Sequence, residues 1–171
     1  MEKNGKVILV GKAASGKDWF KDFLVKRGHT PSISHTTRPL RNGEYDGVTY
    51  NFVSDLKFRL MILFGMFLEY KKFNGWFYGN TKKQARNAEV FILTPSGLKD
   101  FPEEIKRNST IIYFCINTEV RRRRLMKRSD SDTIERRMMA DRKDFIGFTE
   151  FDIKITDSRF NCHNLLAKIK K

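Results

Sequence analysis

Cysteine is nearly absent. Cys115 and Cys162 are the only two in 171 residues, which excludes a disulfide framework. Cys115 lies in an apolar strand-like run and Cys162 near the C-terminus, so both read as plain thiols, one of them in a core. Long apolar runs are missing too. The longest, residues 60–68, is broken by Gly65 and is far too short to cross a bilayer. The first residues enter a strand without a signal-like apolar stretch, so the expected location is cytoplasmic, with no membrane partner. His29, His35 and His163 have no metal-ligand spacing with the cysteines, and structural or exposed positions are expected for them. Acidic residues are in deficit, 20 against 34 Lys plus Arg. Internal repeats, low-complexity tracts and long linkers are also lacking.

The formal charge of +14 attracts polyanions at low salt without saying which. Nucleic acid is one candidate, and a set of nucleotide phosphates is another; no zinc-ligand spacing or RNA-recognition aromatic motif favours the first. With 40% hydrophobic residues and fifteen phenylalanines, the chain has enough apolar side chain for one core, and a single domain is expected over 1–171.

Strand-like runs at 6–10, 89–93, 110–116 and 151–156 alternate with helix-like stretches, the pattern of an α/β protein whose parallel sheet is flanked by helices. A first helix is predicted from about Asp18, burying Trp19, Phe20, Phe23 and Leu24 and stopping at Gly28, a residue suited to a left-handed cap. Residues 33–84 change to alternation such as Val48, Tyr50 and Phe52 among dense aromatics, predicting a small antiparallel insert that holds a substrate. Residues 121–149 read as a second, basic and helical insert, with Asp132 and Glu135 as a capping pair for its second helix. The core is then 1–32, 85–120 and 150–171.

The run Gly11-Lys12-Ala13-Ala14-Ser15-Gly16-Lys17-Asp18 follows a strand and opens a helix, the context in which a Gly-bounded loop cradles phosphates in P-loop NTPases. Gly11 and Gly16 permit the tight turn that aims successive N–H groups at a phosphate. The helix start adds positive potential, and Lys17 reaches the β and γ phosphates. These residues are the candidate ATP site, with Lys17 a candidate catalytic residue; the plain alternative is a Gly-rich turn capped by an Asp. Asp18 stands where Ser or Thr would offer magnesium a hydroxyl. A carboxylate beside a triphosphate needs a cation between them, so Asp18 is the expected Mg²⁺ ligand, direct or through water.

Residues 32–53, SISHTTRPLRNGEYDGVTYNFV, followed by FLEY at 67–70 and GWFYGNT at 75–81, resemble the GMP-binding region of guanylate kinases. With the phosphate loop, the basic insert and the closing strand, nearly the whole chain follows that family's order. Guanine presents N1–H and N2–H₂ side by side, and one carboxylate, Glu69, can accept both. Ser34 can donate to O6, Arg38 and Arg41 can clamp the monophosphate, and Tyr50 and Tyr78 can add phenolic hydrogen bonds. The resemblance implies these roles and puts Glu44, Asn80 and Thr94 in the same GMP pocket. Read without it, Tyr50 and Tyr78 are equally candidates for half-buried core aromatics, Arg41 for a solvated charge, and Glu69 for a partner of Lys71 or Lys72. The chain departs from the family at Asn80, where Thr or Ser is usual near the base. It departs again in the third core strand, where Ile92 and Thr94 replace acids near the metal and base; the Asp18 carboxylate is a candidate substitute.

Arg121, Arg122, Arg123, Arg124, Lys127, Arg128, Arg136, Arg137 and Arg142 concentrate positive charge that needs anions nearby. The resemblance implies a helical lid that closes over the nucleotides, excludes water and delivers Arg128 and Arg137 to the transferring group as catalytic residues. Residues 121–124 are expected to form a solvated helix face. Phe151-Asp152 and Thr156-Asp157 resemble the segment beside the donor adenine. These readings predict in-line transfer of the ATP γ-phosphoryl group to GMP or dGMP, with Mg²⁺ as cofactor, small nucleotides rather than nucleic acid as partners, and a monomer or weak dimer. A kinase for another (deoxy)nucleotide or a sugar phosphate, a non-catalytic guanylate-kinase-like binding module, and a nucleic-acid-binding protein are the alternatives.

Overall fold

The computed structural model describes residues 5–127 and 133–169. From the N-terminus, β1 (Lys6–Gly11) and α1 (Lys17–Val25) precede β2 (His35–Thr36), β3 (Asn51–Phe52), α2 (Asp55–Leu63), β4 (Phe67–Phe73), β5 (Trp76–Thr81) and α3 (Lys82–Asn87). There follow β6 (Val90–Leu93), α4 (Pro95–Lys99), α5 (Glu103–Arg107), β7 (Ser109–Phe114), α6 (Thr118–Met126), α7 (Ile134–Asp144), β8 (Ile153–Ile155) and α8 (Cys162–Ile169).

β6, β1, β7 and β8 form one all-parallel sheet in that order. A parallel sheet covered on both faces needs strands that are apolar throughout rather than alternating. In β1, Ile8 and Val10 face a core with Phe91, Leu98, Ile111 and Tyr113. Val7 and Leu9 face the opposite core, with Phe20, Leu24, Ile112 and Phe114. The four strands predicted from apolar runs are these four.

α1 buries Phe20 and Leu24 completely, and Phe23 packs against the same core. Trp19 does not join them. It is 57% exposed, touching Phe160 edge-on at 5.2 Å, because a helical stripe through positions 20, 23 and 24 leaves position 19 to one side. Gly28 takes a φ of +90° just past the helix, as its place there predicts. Cys162 is buried and Cys115 partly so.

The second sheet has the order β3-β2-β5-β4. β2–β5 and β5–β4 are antiparallel, and β3 adds a two-residue parallel pairing to β2. α2 is an element the alternation does not predict: Ser54 caps it, accepting from Lys57 N, and Phe58 and Met61 pack it onto Phe67. In the basic insert, Thr133 occupies the N-cap position of α7; Asp132, expected to cap there, lies outside the described residues. No helix among the described residues is long and apolar enough to cross a membrane.

Candidate active site

One cavity of about 520 Å³ lies between the two sheets, walled by Gly11, Ala13, Ala14, Lys17 and Asp18 on one side and by Ser34, Arg41, Glu44, Tyr50, Glu69, Tyr78 and Asn80 on the other; Thr94, Arg137 and Asp141 complete it. The phosphate loop turns through two left-handed residues, Ala14 at φ +58° and Gly16 at φ +100°. Gly11 has no room for a side chain, since a Cβ there would meet the buried Ser15 Oγ at 2.6 Å. Lys12 sets Nζ 5.6 Å from the ring centroid of Phe145, which itself borders the cavity. The Asp18 side chain is half exposed, 3.7 Å from Lys17 Nζ. Burial and, after it, the Asp18 charge across the cleft raise the pKa of Tyr50.

The loop's carbonyls are held from behind. Arg121 Nη1 donates to Ala13 O at 3.4 Å, and Arg124 Nη1 to Ala14 O at 3.1 Å, with Arg124 Nη2 on Ser158 O at 2.8 Å. The solvated face expected of residues 121–124 is therefore confined to Arg122 and Arg123, whose side chains are 53% and 69% exposed; Arg121 is 3% exposed. Positions three apart share a helix face, and here that face looks onto the phosphate loop. Sequence reasoning also missed Asp141. This buried α7 carboxylate accepts from Ala13 N at 2.9 Å and Arg121 Nη1 at 3.2 Å. Burial raises its pKa, opposed by the Ala13 bond and by Lys17 and Arg121. Nothing in the sequence singles it out from Glu135 and Asp144 on the same helix.

On the opposite wall, Arg38 is 4% exposed, with Nη2 donating to Glu44 Oε1 at 2.7 Å and Nη1 to Pro39 O at 2.7 Å. The other Glu44 oxygen accepts from Arg41 N at 2.9 Å. Glu44 thus fixes both halves of the arginine pair: Arg38 stands behind the cavity wall, while Arg41 borders it. Tyr50 and Tyr78 meet at 6.0 Å between ring centroids. Burial raises the Tyr78 pKa, with Arg38 and Arg41 opposing, so both phenols keep their protons at neutral pH. A bulge between Phe67 and Glu69 brings Glu69 opposite Asn80. Burial pushes the Glu69 carboxyl up to about 7 against two hydrogen bonds from Asn80. Thr94 Oγ1 accepts from Gly97 N at 3.1 Å, capping α4. Arg137, 6% exposed, lines the cavity. Arg128 lies outside the described residues. Asp152, expected beside a donor base, accepts from Ile111 N at 2.7 Å and so ties the last strand to the sheet.

A strand, a phosphate loop and a helix facing an acid- and tyrosine-lined insert across one cavity define a P-loop nucleotide kinase fold. The guanylate kinase family model matches residues 3–170, and the chain belongs to that family. It is 31% identical over 173 residues to the guanylate kinase of Vibrio parahaemolyticus, covering 94% of this chain and 84% of that protein. To the guanylate kinase of Histophilus somni it is 32% identical, covering 90% and 80%. The crystal structure of guanylate kinase from Anaplasma phagocytophilum superposes with a TM-score of 0.70 over 97% of this chain and 83% of that one; at 22% identity this is a likeness of fold.

Proposed function

We propose that this chain transfers the γ-phosphoryl group of ATP to the α-phosphate of GMP or dGMP. The observation that carries the reading is that Lys17, at the start of α1 on the core sheet's side, and Glu69, from β4 of the second sheet, border the same cavity. Lys17 and the loop amides hold the donor phosphates. Arg41 and the protonated Tyr50 and Tyr78 donate to the acceptor phosphate, with Arg38 held by Glu44 behind them. Glu69 reads the base, and Arg137 and Arg128 neutralise charge on the transferring group. Residues 33–84 and 121–149 act as acceptor-binding and lid lobes on the core, closing to exclude water.

Asp18 fits a magnesium site of the kind that keeps its water: a half-exposed carboxylate beside Lys17, with no cluster of three or more metal-ligating side chains among the described residues. Mg²⁺ typically takes one or two carboxylates and completes its shell with water and phosphate oxygens. When bound it neutralises charge on the phosphates.

The test is ADP release with ATP and Mg²⁺ against GMP, dGMP, AMP, dTMP and dCMP. Turnover of GMP or dGMP is expected, with a loss of at least a hundredfold in Lys17→Ala and in Glu69→Ala. Asp18→Ala is expected to abolish the magnesium dependence of ATP binding. Turnover confined to another acceptor would change the substrate, and no turnover by folded protein would refute the kinase reading.

A further inference from the structure

The acceptor end of the cavity contains a hydrogen-bond relay that limits what a base finds there. Asn80, 2% exposed, accepts on Oδ1 from the hydroxyls of Ser32 at 2.6 Å and Ser34 at 2.9 Å. Its Nδ2 and its backbone N–H both donate to the same atom, Glu69 Oε1, at 2.6 and 3.1 Å. The amide's orientation follows from the chemistry: the carboxylate oxygen needs a donor, which turns the amide oxygen towards the two serines. Oε1 thus has both lone-pair directions filled. Oε2, which comes within 3.3 Å of where a Gly97 Cβ would sit, is the oxygen left to accept from a base.

On an open carboxylate the N1–H and N2–H₂ of guanine take one oxygen each; here only Oε2 is left for both. We propose that Asn80 sets the base specificity of this pocket by withholding one oxygen of Glu69, so that the substrate class is the 6-oxopurine monophosphates, with inosine monophosphate, which lacks the 2-amino group, accepted nearly as well as GMP. The proposal rests on the kinase reading above. The 6-oxo group stays required, because Ser34 can turn its proton from Asn80 to O6 while Ser32 continues to satisfy Asn80. Adenine offers Oε2 a lone pair at N1 and is rejected. Asn80 is a positioning residue, acting on the base through Glu69 and Ser34.

The experiment compares kcat/KM for GMP, IMP and AMP at pH 8, where Glu69 is ionised, in the wild type and in Asn80→Ser, whose shorter side chain frees the Oε1 lone pair that Nδ2 holds while the backbone N–H bond stays. A hydrogen bond to a charged group is worth roughly 10- to 150-fold. The GMP-to-IMP ratio is therefore expected below ten in the wild type and at least tenfold higher in Asn80→Ser, a change that a merely structural residue would not produce. A wild-type ratio of ten or more, or a smaller rise in the variant, overturns the proposal. Because a buried substitution can cost the fold, the wild-type dissociation constants for GMP and IMP, measured by calorimetry, decide independently: less than tenfold apart is expected, and a wider gap overturns the idea. If folded wild type turns over neither nucleotide, the kinase reading fails, and those two constants still judge the pocket.

Discussion

Glu69 is ionisable, 7% exposed and pushed up to about 7 chiefly by burial. The unfolded chain, with its carboxyl near 4.5, loses the proton first. Between those values the folded state holds a proton that the unfolded state lacks, so stability falls as pH rises from about 4.5 towards 7, and the full cost is present above that. Gln at this position keeps an acceptor for Asn80 and removes the charge. Glu69→Gln is therefore expected to stabilise the unliganded protein by about 1–3 kcal/mol at pH 8 and to change it little at pH 5, while GMP turnover is lost. Urea denaturation at the two pH values checks this, and equal shifts at both would refute it. The residues alone allowed Glu69 equally as a partner for Lys71 or Lys72; that it borders a pocket was legible through the resemblance that FLEY helps to carry. That Asn80 engages it was not, since the pairing depends on a bulge between Phe67 and Glu69 that no local propensity announces.

At the scale of elements, the four consecutive arginines of α6 divide by helical geometry into two that anchor and two that are solvated. Arg121 and Arg124 hold carbonyls of the phosphate loop, and Arg121 faces the buried Asp141 carboxylate at 3.2 Å. Removing one member of a buried pair leaves the other charge uncompensated, which costs about 3–5 kcal/mol. Arg121→Ala is expected to destabilise by that order, whereas Arg122→Ala and Arg123→Ala, on the exposed face, should each stay within about 0.5 kcal/mol of wild type. Urea midpoints separate the cases, and equal effects at Arg121 and Arg122 would sink the division. The core strands were readable because a two-faced parallel strand is apolar at every position, as in Val7 to Val10. The roles within α6 were not readable, because identical neighbours carry no periodicity. α2 was overlooked for the opposite reason: its cap, Ser54, and its inward pair, Phe58 and Met61, sit amid exposed apolar residues such as Leu56 and Leu63 that blur the helical stripe.

Across the whole molecule, the second sheet leans on the core through Leu68 and the Lys71–Asp100 ion pair, and a further contact reaches it from α7 without any nucleotide. Arg136, from α7, lies with its guanidinium 4.5 Å from the Trp76 ring centroid, and its Nη1 donates to Asn74 O at 3.2 Å. Trp76 and Asn74 belong to the β4–β5 hairpin, so this contact joins α7 to the second sheet, the proposed lid to the proposed acceptor-binding insert. A cation over an indole contributes about 0.5–2 kcal/mol, enough to bias a lid without locking it. If closure draws on this contact, its loss raises the cost of binding the acceptor and leaves the core sheet untouched. Arg136→Ala is therefore expected to raise the KM for GMP by roughly 2- to 30-fold and to lower the stability of the unliganded protein by no more than about 2 kcal/mol. Arg136→Lys, which keeps the charge but not the planar stack, should fall between. In a Trp19→Phe background, Trp76 fluorescence reports the contact directly: its emission should shift to longer wavelength in Arg136→Ala and become less sensitive to added GMP. A KM equal to wild type despite that shift would mean that the hairpin and lid touch without contributing to closure.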